Sequence, residues 1–372
     1  IIQRSQLMGI VFMNVNTVVN FYKKYGSNLF QSILTGIDNS LVFVFNKKPS
    51  RAPLYVGWLV THKCNSECGY CTSWEIGKSN KKPELSFQES LELVRQLGRL
   101  KTWMLSFTGG EPLLKKNIYK LISEAKKYKI GTNVNTNGFL LEKYAEQIID
   151  SGLDTLTVSI ESHDSAVHDK VRVCEDSFAR AELGIKKIIS LREQRGIKKP
   201  YVMIRANVSK RNYEDLDKFF KYWNDKVDEV LLQPIHDGSD TSIFQIKADE
   251  ISFDDADKFN YKKYMKKLFN KYPNLNSKYY QEFYNFFFNT EKMREKYRCF
   301  SSYFSVTIDP YGNILSCPEH LVELGNIKKT PLLDILNNEK SVKFKNELKQ
   351  HKNKCFWWYN CTGPINQTRT TL

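Results

Sequence analysis

No stretch of this sequence runs to about 18 uninterrupted apolar residues, so no membrane-spanning helix is expected. A clear secretory signal is absent as well, and the expectation is a cytoplasmic chain with at most a peripheral contact to a membrane. Cysteine is scarce: eight in 372 residues is too few for a disulfide scaffold. Three of the eight, Cys64, Cys68 and Cys71, fall within eight consecutive positions, which points to a metal site in a reducing compartment. Blocks of like charge are missing too. The net charge is +15, yet the lysines are scattered, and a nucleic-acid partner is not expected. The first residue is Ile1 rather than methionine, as in a fragment or in a chain whose translation starts at Met8 or Met13, so residues before Val15 carry little weight.

What is present reads as an α/β chain. Its 41% hydrophobic and 26% charged residues are the composition of an ordinary soluble protein, and 372 residues suggest one large domain plus one small. From about residue 55, six apolar, β-branched runs recur: "LYVGWLV", "TWMLSF", "GTNVNT", "DTLTVSI", "YVMIRANV" and "DEVLLQPI". Helix signals separate them. Ser86 with Glu89 is a capping box, and 118–128 and 178–191 show helical periodicity. Short strands joined by helix-length segments predict a parallel sheet with crossover helices, a partial (β/α)6 TIM-like barrel over residues 54–236. In such folds ligands sit beyond the carboxyl ends of the strands, and the cysteine triplet directly follows the first one. Residues 237–298 become helical, lysine-rich and aromatic. Residues 299–361 read as a small α+β cysteine-rich domain with a hairpin in "FSVTIDPYGNILSCPE", turned by Pro310, Tyr311, Gly312 and Asn313. Residues 1–53 form a leader and 362–372 a polar tail.

Thiolates suit zinc and iron–sulfur clusters. Structural zinc takes a closed set of four ligands, usually from two spaced pairs. Three thiolates at spacings of four and three instead suit three corners of a cubane, leaving one iron open to activate a substrate. His62 as a fourth ligand closing a zinc site is the competing reading.

The spacing Cys64-x3-Cys68-x2-Cys71 after a first strand, with Tyr70 ahead of the last cysteine, resembles the signature of the radical S-adenosylmethionine (SAM) superfamily. The segments after the following strands resemble that family in order. Gly109, Gly110 and Glu111 of "FTGGEPLL" match the loop that receives the SAM amino group, and a close-approach backbone with one carboxylate suits a cationic amine. Thr136 and Asn137 match a common family segment. In "SIESHDSAVHDKVR" the resemblance implies that Ser159 and Glu161 face the ribose and Arg172 approaches the SAM carboxylate; Asn207 and Val208 would lie near the adenosyl group. The likeness covers about residues 55–236.

Cys299, Cys317, Cys355 and Cys361 form a second set, around the expected hairpin and beyond it. Four thiolates can close a site completely, which suits one auxiliary 4Fe-4S cluster. The arrangement resembles the C-terminal SPASM domain or its shortened form, the twitch. It departs from both: the last pair is separated by five residues, and Lys352 and Ile365 stand where a full SPASM would carry further cysteines. Tetrahedral zinc in the same thiolates is the alternative. Cys174 reads as a lone thiol.

The resemblance implies a 4Fe-4S cluster on the first triplet that cleaves SAM reductively. Methionine and a 5′-deoxyadenosyl radical result, and the radical abstracts a hydrogen from substrate. A reductant such as flavodoxin or ferredoxin is the implied partner, and a peptide or small natural-product precursor, which the enzyme oxidises or crosslinks, the implied substrate; a lipid or sugar at a membrane surface is the alternative. Residues 15–45 read as a helix followed by a short strand, with Val18, Val19, Tyr22, Tyr25, Leu29, Phe30, Ile33 and Ile37 roughly on one face that packs on the barrel or docks elsewhere. The aromatic run Tyr279, Tyr280, Phe283, Tyr284, Phe286, Phe287 and Phe288 reads as core between the domains or as a wall for an apolar substrate.

Overall fold

Each β-branched run becomes a strand, and each amphipathic segment between them a helix. The computed structural model describes residues 29–45, 47–236, 251–296, 299–317 and 322–350. In chain order, helix α1 (Leu29–Phe45) precedes β1 (Tyr55–Thr61), α2 (Ser73–Ser79), α3 (Phe87–Arg99), β2 (Met104–Gly109), α4 (Ile118–Lys127) and β3 (Gly131–Thr136). Then come α5 (Leu141–Asp150), β4 (Thr155–Ser159), α6 (Ser165–Arg172), α7 (Ser177–Gln194), β5 (Tyr201–Val208), α8 (Leu216–Trp223) and β6 (Glu229–Pro234). Beyond these lie α9 (Asp257–Lys271), α10 (Lys278–Gln281), α11 (Phe283–Phe288), α12 (Thr290–Lys296), β7 (Ser305–Ile308), β8 (Asn313–Leu315), β9 (Glu323–Asn326), α13 (Leu332–Asn337) and α14 (Glu339–Lys349).

All six expected strands form, and they pair in parallel in the order β6-β5-β4-β3-β2-β1, the sheet of a partial barrel. The expected capping box is present: Glu89 N–H donates to the Ser86 hydroxyl and Ser86 N–H to the Glu89 carboxylate, starting α3. The expected hairpin also forms, but it does not stand apart. Strand β7 pairs in parallel with β1, and β8 and β9 follow antiparallel, so the sheet runs unbroken through nine strands.

Strand alternation separates two faces. Val56, Trp58, Phe107, Val134, Leu156 and Ile204 turn toward the helices and join one buried core. The opposite positions carry hydroxyls and amides, such as Ser106, Asn133, Asn135, Thr155 and Thr157.

The leader departs from expectation. Its helix runs on to Phe45, no strand lies between it and β1 among the described residues, and Ile33, expected on the packed face, is exposed. The buried stripe is Thr35, Asn39 and Val42. Polar residues win this face because backbone groups ahead of β1 and β2 need partners: Asn39 donates to Ala52 O and accepts from Leu54 N–H, and Thr35 donates to Lys101 O. Phe43 completes the contact by meeting Phe300 and Tyr303 edge-on. The expected face at Val18, Val19, Tyr22 and Tyr25 lies outside the described residues. In the aromatic run, Tyr279, Tyr280 and Phe283 are buried and Phe286, Phe287 and Phe288 pack partly buried against the same core, so the core reading describes them. Among the described residues, no helix is long and apolar enough to cross a membrane.

Asp154 ties the amino-terminal ends of the strands together. Its carboxylate accepts from Thr132 N–H at 2.9 Å, from the Thr132 hydroxyl at 3.1 Å, from Lys199 at 2.5 Å and from Lys126. In an Asp154→Ala variant the partly exposed lysines can turn to water, but the Thr132 groups are left buried without an acceptor. Urea denaturation should show a loss of about 2–4 kcal/mol. Asp154→Asn, which keeps an acceptor for the Thr132 N–H, should lose less; an unchanged midpoint in both would sink this account.

Candidate active site

Parallel strands deliver their carboxyl ends to one side, and the loops there hold the predicted residues. The loop after β1 carries Cys64, Cys68 and Cys71. It is laced to the loop after β2: Gly110 N–H donates to Thr61 O and Glu111 N–H to Lys63 O, both at 2.8 Å. The approach leaves no room for a side chain. A Cβ at Gly110 would lie 2.2 Å from Lys63 O, and one at Gly109 would lie 2.3 Å from Thr61 O; Gly109 also has φ +126°.

Two buried carboxylates organise the site in different ways. Glu111 accepts from Leu113 N–H, the Thr136 hydroxyl and Asn137 N–H at 2.7–3.0 Å. All of these are neutral donors, so burial raises its pKa. Asn137 in turn donates to Asn65 and Ser66 in the cysteine loop.

Glu161, after β4, is a hub. Its Oε1 accepts from Arg172 at 2.6 Å, Tyr70 at 2.8 Å and Asn207 Nδ2 at 3.1 Å, and its Oε2 accepts from Asn207 N–H at 3.0 Å. Its own N–H donates to His168 Nδ1, whose Nε2 lies 3.3 Å from the Ser177 hydroxyl. That pattern, with burial holding the His168 pKa well below 6.5, makes it a neutral imidazole serving the loop backbone. Arg172 reaches the cysteine loop as well: its side chain donates to Cys68 Sγ at 3.7 Å, and its carbonyl accepts from Glu67 N–H.

Cys64, Cys68 and Cys71 are free thiols. Burial pushes the pKa of Cys64 and of Cys71 up to about 12 and raises that of Cys68, while each pair repels as thiolates. The loop thus favours neutral thiols until a cation compensates, and metal loading must displace protons. Among the described residues, no three His, Cys, Asp or Glu side chains already converge in a metal-holding group. The donor set fits an iron–sulfur cluster: soft ligands on one loop, close enough to feel one another, in an apolar setting of Tyr70, Ile235, Ile251, Val171 and Phe287. His62 is engaged elsewhere. Its Nδ1 meets Ser73 Oγ at 3.1 Å, its ring faces Tyr311 of the β7–β8 turn, and burial lowers its pKa to about 4.

The remaining predicted residues divide. Ser159 is buried on the polar face of β4, where Arg205 approaches it. Val208 turns its side chain into the apolar core and its carbonyl to Ile235 N–H, so only its backbone borders the loops. Cys174 is a partly exposed thiol after α6. Strand direction puts Cys299 and Cys317 at the opposite end of the sheet: β7 starts there and antiparallel β8 returns there. The Ser301 and Ser302 hydroxyls both donate to Ser316 O, joining the two segments. Cys355 and Cys361 lie outside the described residues.

Three contributors were not legible in the sequence. Asn212 donates to Glu161 O and Asn207 O at 2.9 Å, closing the loop after β5, but an asparagine ahead of a helix reads as an ordinary turn. Asn65 carries no separate signal within the cysteine loop. Arg205 hides in a strand whose alternation, once applied, places it beside Asn207.

The family described as "Radical SAM superfamily" matches residues 58–222, and one described as "Iron-sulfur cluster-binding domain" (SPASM) matches residues 299–362. The chain is 39% identical over 106 residues to the probable GTP 3′,8-cyclase of Archaeoglobus fulgidus and 35% identical over 121 residues to the GTP 3′,8-cyclase of Staphylococcus haemolyticus. These matches cover 28% and 30% of this chain and 35% of each relative, so the chain spans about a third of the length of these relatives. In fold it is similar to Streptococcus suis SuiB bound to the precursor peptide SuiA (TM-score 0.59, 19% identity, 85% of this chain and 71% of that one). It is also similar to anSMEcpe with bound AdoMet and the Cp18Cys peptide (TM-score 0.54, 17% identity, 80% of this chain and 83% of that one). Strand order, the loops at the carboxyl ends and both family matches agree: residues 58–222 form a radical SAM superfamily domain, followed by a C-terminal SPASM-like auxiliary domain over residues 299–362.

Proposed function

We propose that this protein is a radical SAM enzyme acting on a peptide, with Cys64, Cys68 and Cys71 holding the SAM-binding 4Fe-4S cluster. One observation carries the reading: three free thiols and a buried carboxylate bonded only to neutral donors share one mouth of the barrel. When bound, cluster and SAM together supply a 5′-deoxyadenosyl radical that abstracts hydrogen from substrate.

The chain's own residues bind, orient and exclude water. Glu111 is suited to an ammonium group, because a cation beside it offsets the desolvation that raises its pKa. Thr136 and Asn137 hold that carboxylate, and the close backbone of Gly109 and Gly110 keeps it against the cysteine loop. Glu161 fixes Tyr70, Arg172 and Asn207 as one unit beside Cys68. Ser159 and Asn207 then offer polar groups to a ribose, with Val208 bordering the adenosyl side. The apolar residues around Cys68 and Tyr70 keep water from the loop.

Arg172 is already neutralised by Glu161, so its contact with the SAM carboxylate would be a shared one. Cys299, Cys317, Cys355 and Cys361 would hold one auxiliary 4Fe-4S cluster at the far end of the sheet. Residues 54–236 would be the catalytic barrel, 237–298 the connection and 299–361 the auxiliary unit, with 1–53 the helical leader. Electrons would come from a flavodoxin or ferredoxin, and the setting would be cytoplasmic with at most a peripheral membrane contact.

The peptide reading is supported by the fold likeness, which spans most of SuiB and anSMEcpe, both of them described with bound peptides. No comparison favours a lipid or sugar.

Anaerobic reconstitution with iron and sulfide, followed by dithionite, should release 5′-deoxyadenosine from SAM, and Cys68→Ala should reduce it at least a hundredfold. Cleavage that persists in the variant would remove the triplet from the chemistry. A peptide pool should raise 5′-deoxyadenosine formation several-fold over a nucleoside triphosphate pool, and the reverse order would overturn the peptide reading. Gly110→Ala pushes a methyl onto Lys63 O and should lower SAM affinity at least tenfold with the far-UV circular dichroism unchanged; full affinity would show that the lacing of the two loops is dispensable.

A further inference from the structure

The inner face of this sheet is polar where a packed barrel interior is apolar. Register aligns Asn133 with Thr155, Asn135 with Thr157, and Ser159 with Arg205. Deep in the face the groups satisfy one another: Asn133 and Asn135 both donate to the Ser106 hydroxyl at 2.9 Å, and Thr157 donates to Asn133 at 3.0 Å. Arg205 is the exception. Its Nη2 reaches Ser159 Oγ only at 3.5 Å, and its Nε is enclosed with no hydrogen-bond partner.

No salt bridge joins Arg205 to a carboxylate among the described residues, whereas Arg172 holds Glu161 at 2.6 Å. Glu161 attracts Arg205 from farther away, but its oxygens are taken by Tyr70, Arg172 and Asn207. Burial depresses the pKa of Arg205, yet a guanidinium does not give up its proton in a protein. A half-buried cation with no carboxylate bonded to it is costly, so a ligand that supplies one is favoured.

The backbone of Arg205 lies two residues before Asn207 on β5, about 7 Å deeper along the strand at about 3.3 Å per residue, and its guanidinium reaches Ser159 on the polar inner face. We propose that Arg205 anchors a carboxylate of the substrate inside the barrel. The proposal deepens, and rests on, the reading of the chain as a radical SAM enzyme acting on a peptide. One guanidinium matches one negative charge and can clasp a carboxylate bidentately, whereas a phosphate dianion would call for further cations. In a peptide the group is an Asp or Glu side chain or the carboxyl terminus; SAM brings a carboxylate of its own.

The test uses the full chain, anaerobically reconstituted and saturated with SAM, and reads binding by calorimetry. The probes are N-acetylglutamate α-amide against N-acetylglutamine α-amide, and acetyl-dialanine with a free against an amidated terminus. The wild type should bind at least one acid at least tenfold tighter than its amide, and which acid prefers the site separates side chain from terminus. Arg205→Gln should reduce the preference to less than twofold, and Arg205→Lys should keep part of it. Equal or undetectable binding of acid and amide by the wild type overturns the proposal, as does a preference that survives in Arg205→Gln. SAM affinity is read in parallel: a variant that loses SAM tenfold but keeps the acid preference assigns Arg205 to the methionine carboxylate and overturns it too. Should Arg205→Gln not fold, the wild-type comparison and Arg205→Lys still decide. Because binding is read apart from turnover, a wild type that selects acids but does not cleave SAM would instead overturn the enzymatic reading.

Discussion

The barrel mouth depends on the Glu161 carboxylate and its two neighbouring backbone groups. Four donors from three segments meet it, and its N–H and carbonyl are taken by His168 and Asn212. A buried carboxylate is tolerable only when its charge and lone pairs are met, and here meeting them fixes the cysteine loop, α6 and β5 relative to one another. The charge of Arg172 closes the set. Removing any one donor would leave the others bonded to an under-satisfied anion, so the network acts as a unit.

Glu111, after β2, shows the opposite arrangement. Hydrogen bonds hold its oxygens, but its charge goes uncompensated and its pKa rises. The three thiols share that condition, held neutral by burial and by mutual repulsion. Glu161 is therefore structural cement, while Glu111 and the thiols are groups whose charged forms burial disfavours. Arg205 completes the pattern with the sign reversed. Sites of unmet charge, rather than sites of strong bonding, mark where this molecule is built to receive something.

The hairpin of β7 and β8 links the two ends of the sheet. By adding to β1 it lies directly beside the strand that launches the first cysteine loop, and its turn packs Tyr311 against His62 while Pro310 O accepts from Leu85 N–H. Its far ends carry Cys299 and Cys317 to the opposite edge of the barrel. One sheet thus runs from the strand that launches the first cysteine loop to the hairpin flanked by Cys299 and Cys317.

Local patterns determined much of this in advance. Six β-branched runs became six parallel strands because each was bounded by turn or helix signals, and the capping box and the hairpin formed where short-range chemistry put them. The cysteine spacing and the paired glycines were readable for the same reason, since their chemistry depends on neighbours in the chain. What the sequence could not show was decided by contacts between segments far apart. The leader helix buries Asn39 and exposes Ile33 because the unpaired backbone at Ala52 and Leu54 outweighs an apolar stripe. Only the fold places Glu161 N–H against His168. Arg205 is an ordinary strand arginine until register sets it beside Ser159 with its Nε enclosed and unbonded. Whether a charge is met is a property of three-dimensional neighbours, and only the tertiary structure supplies them.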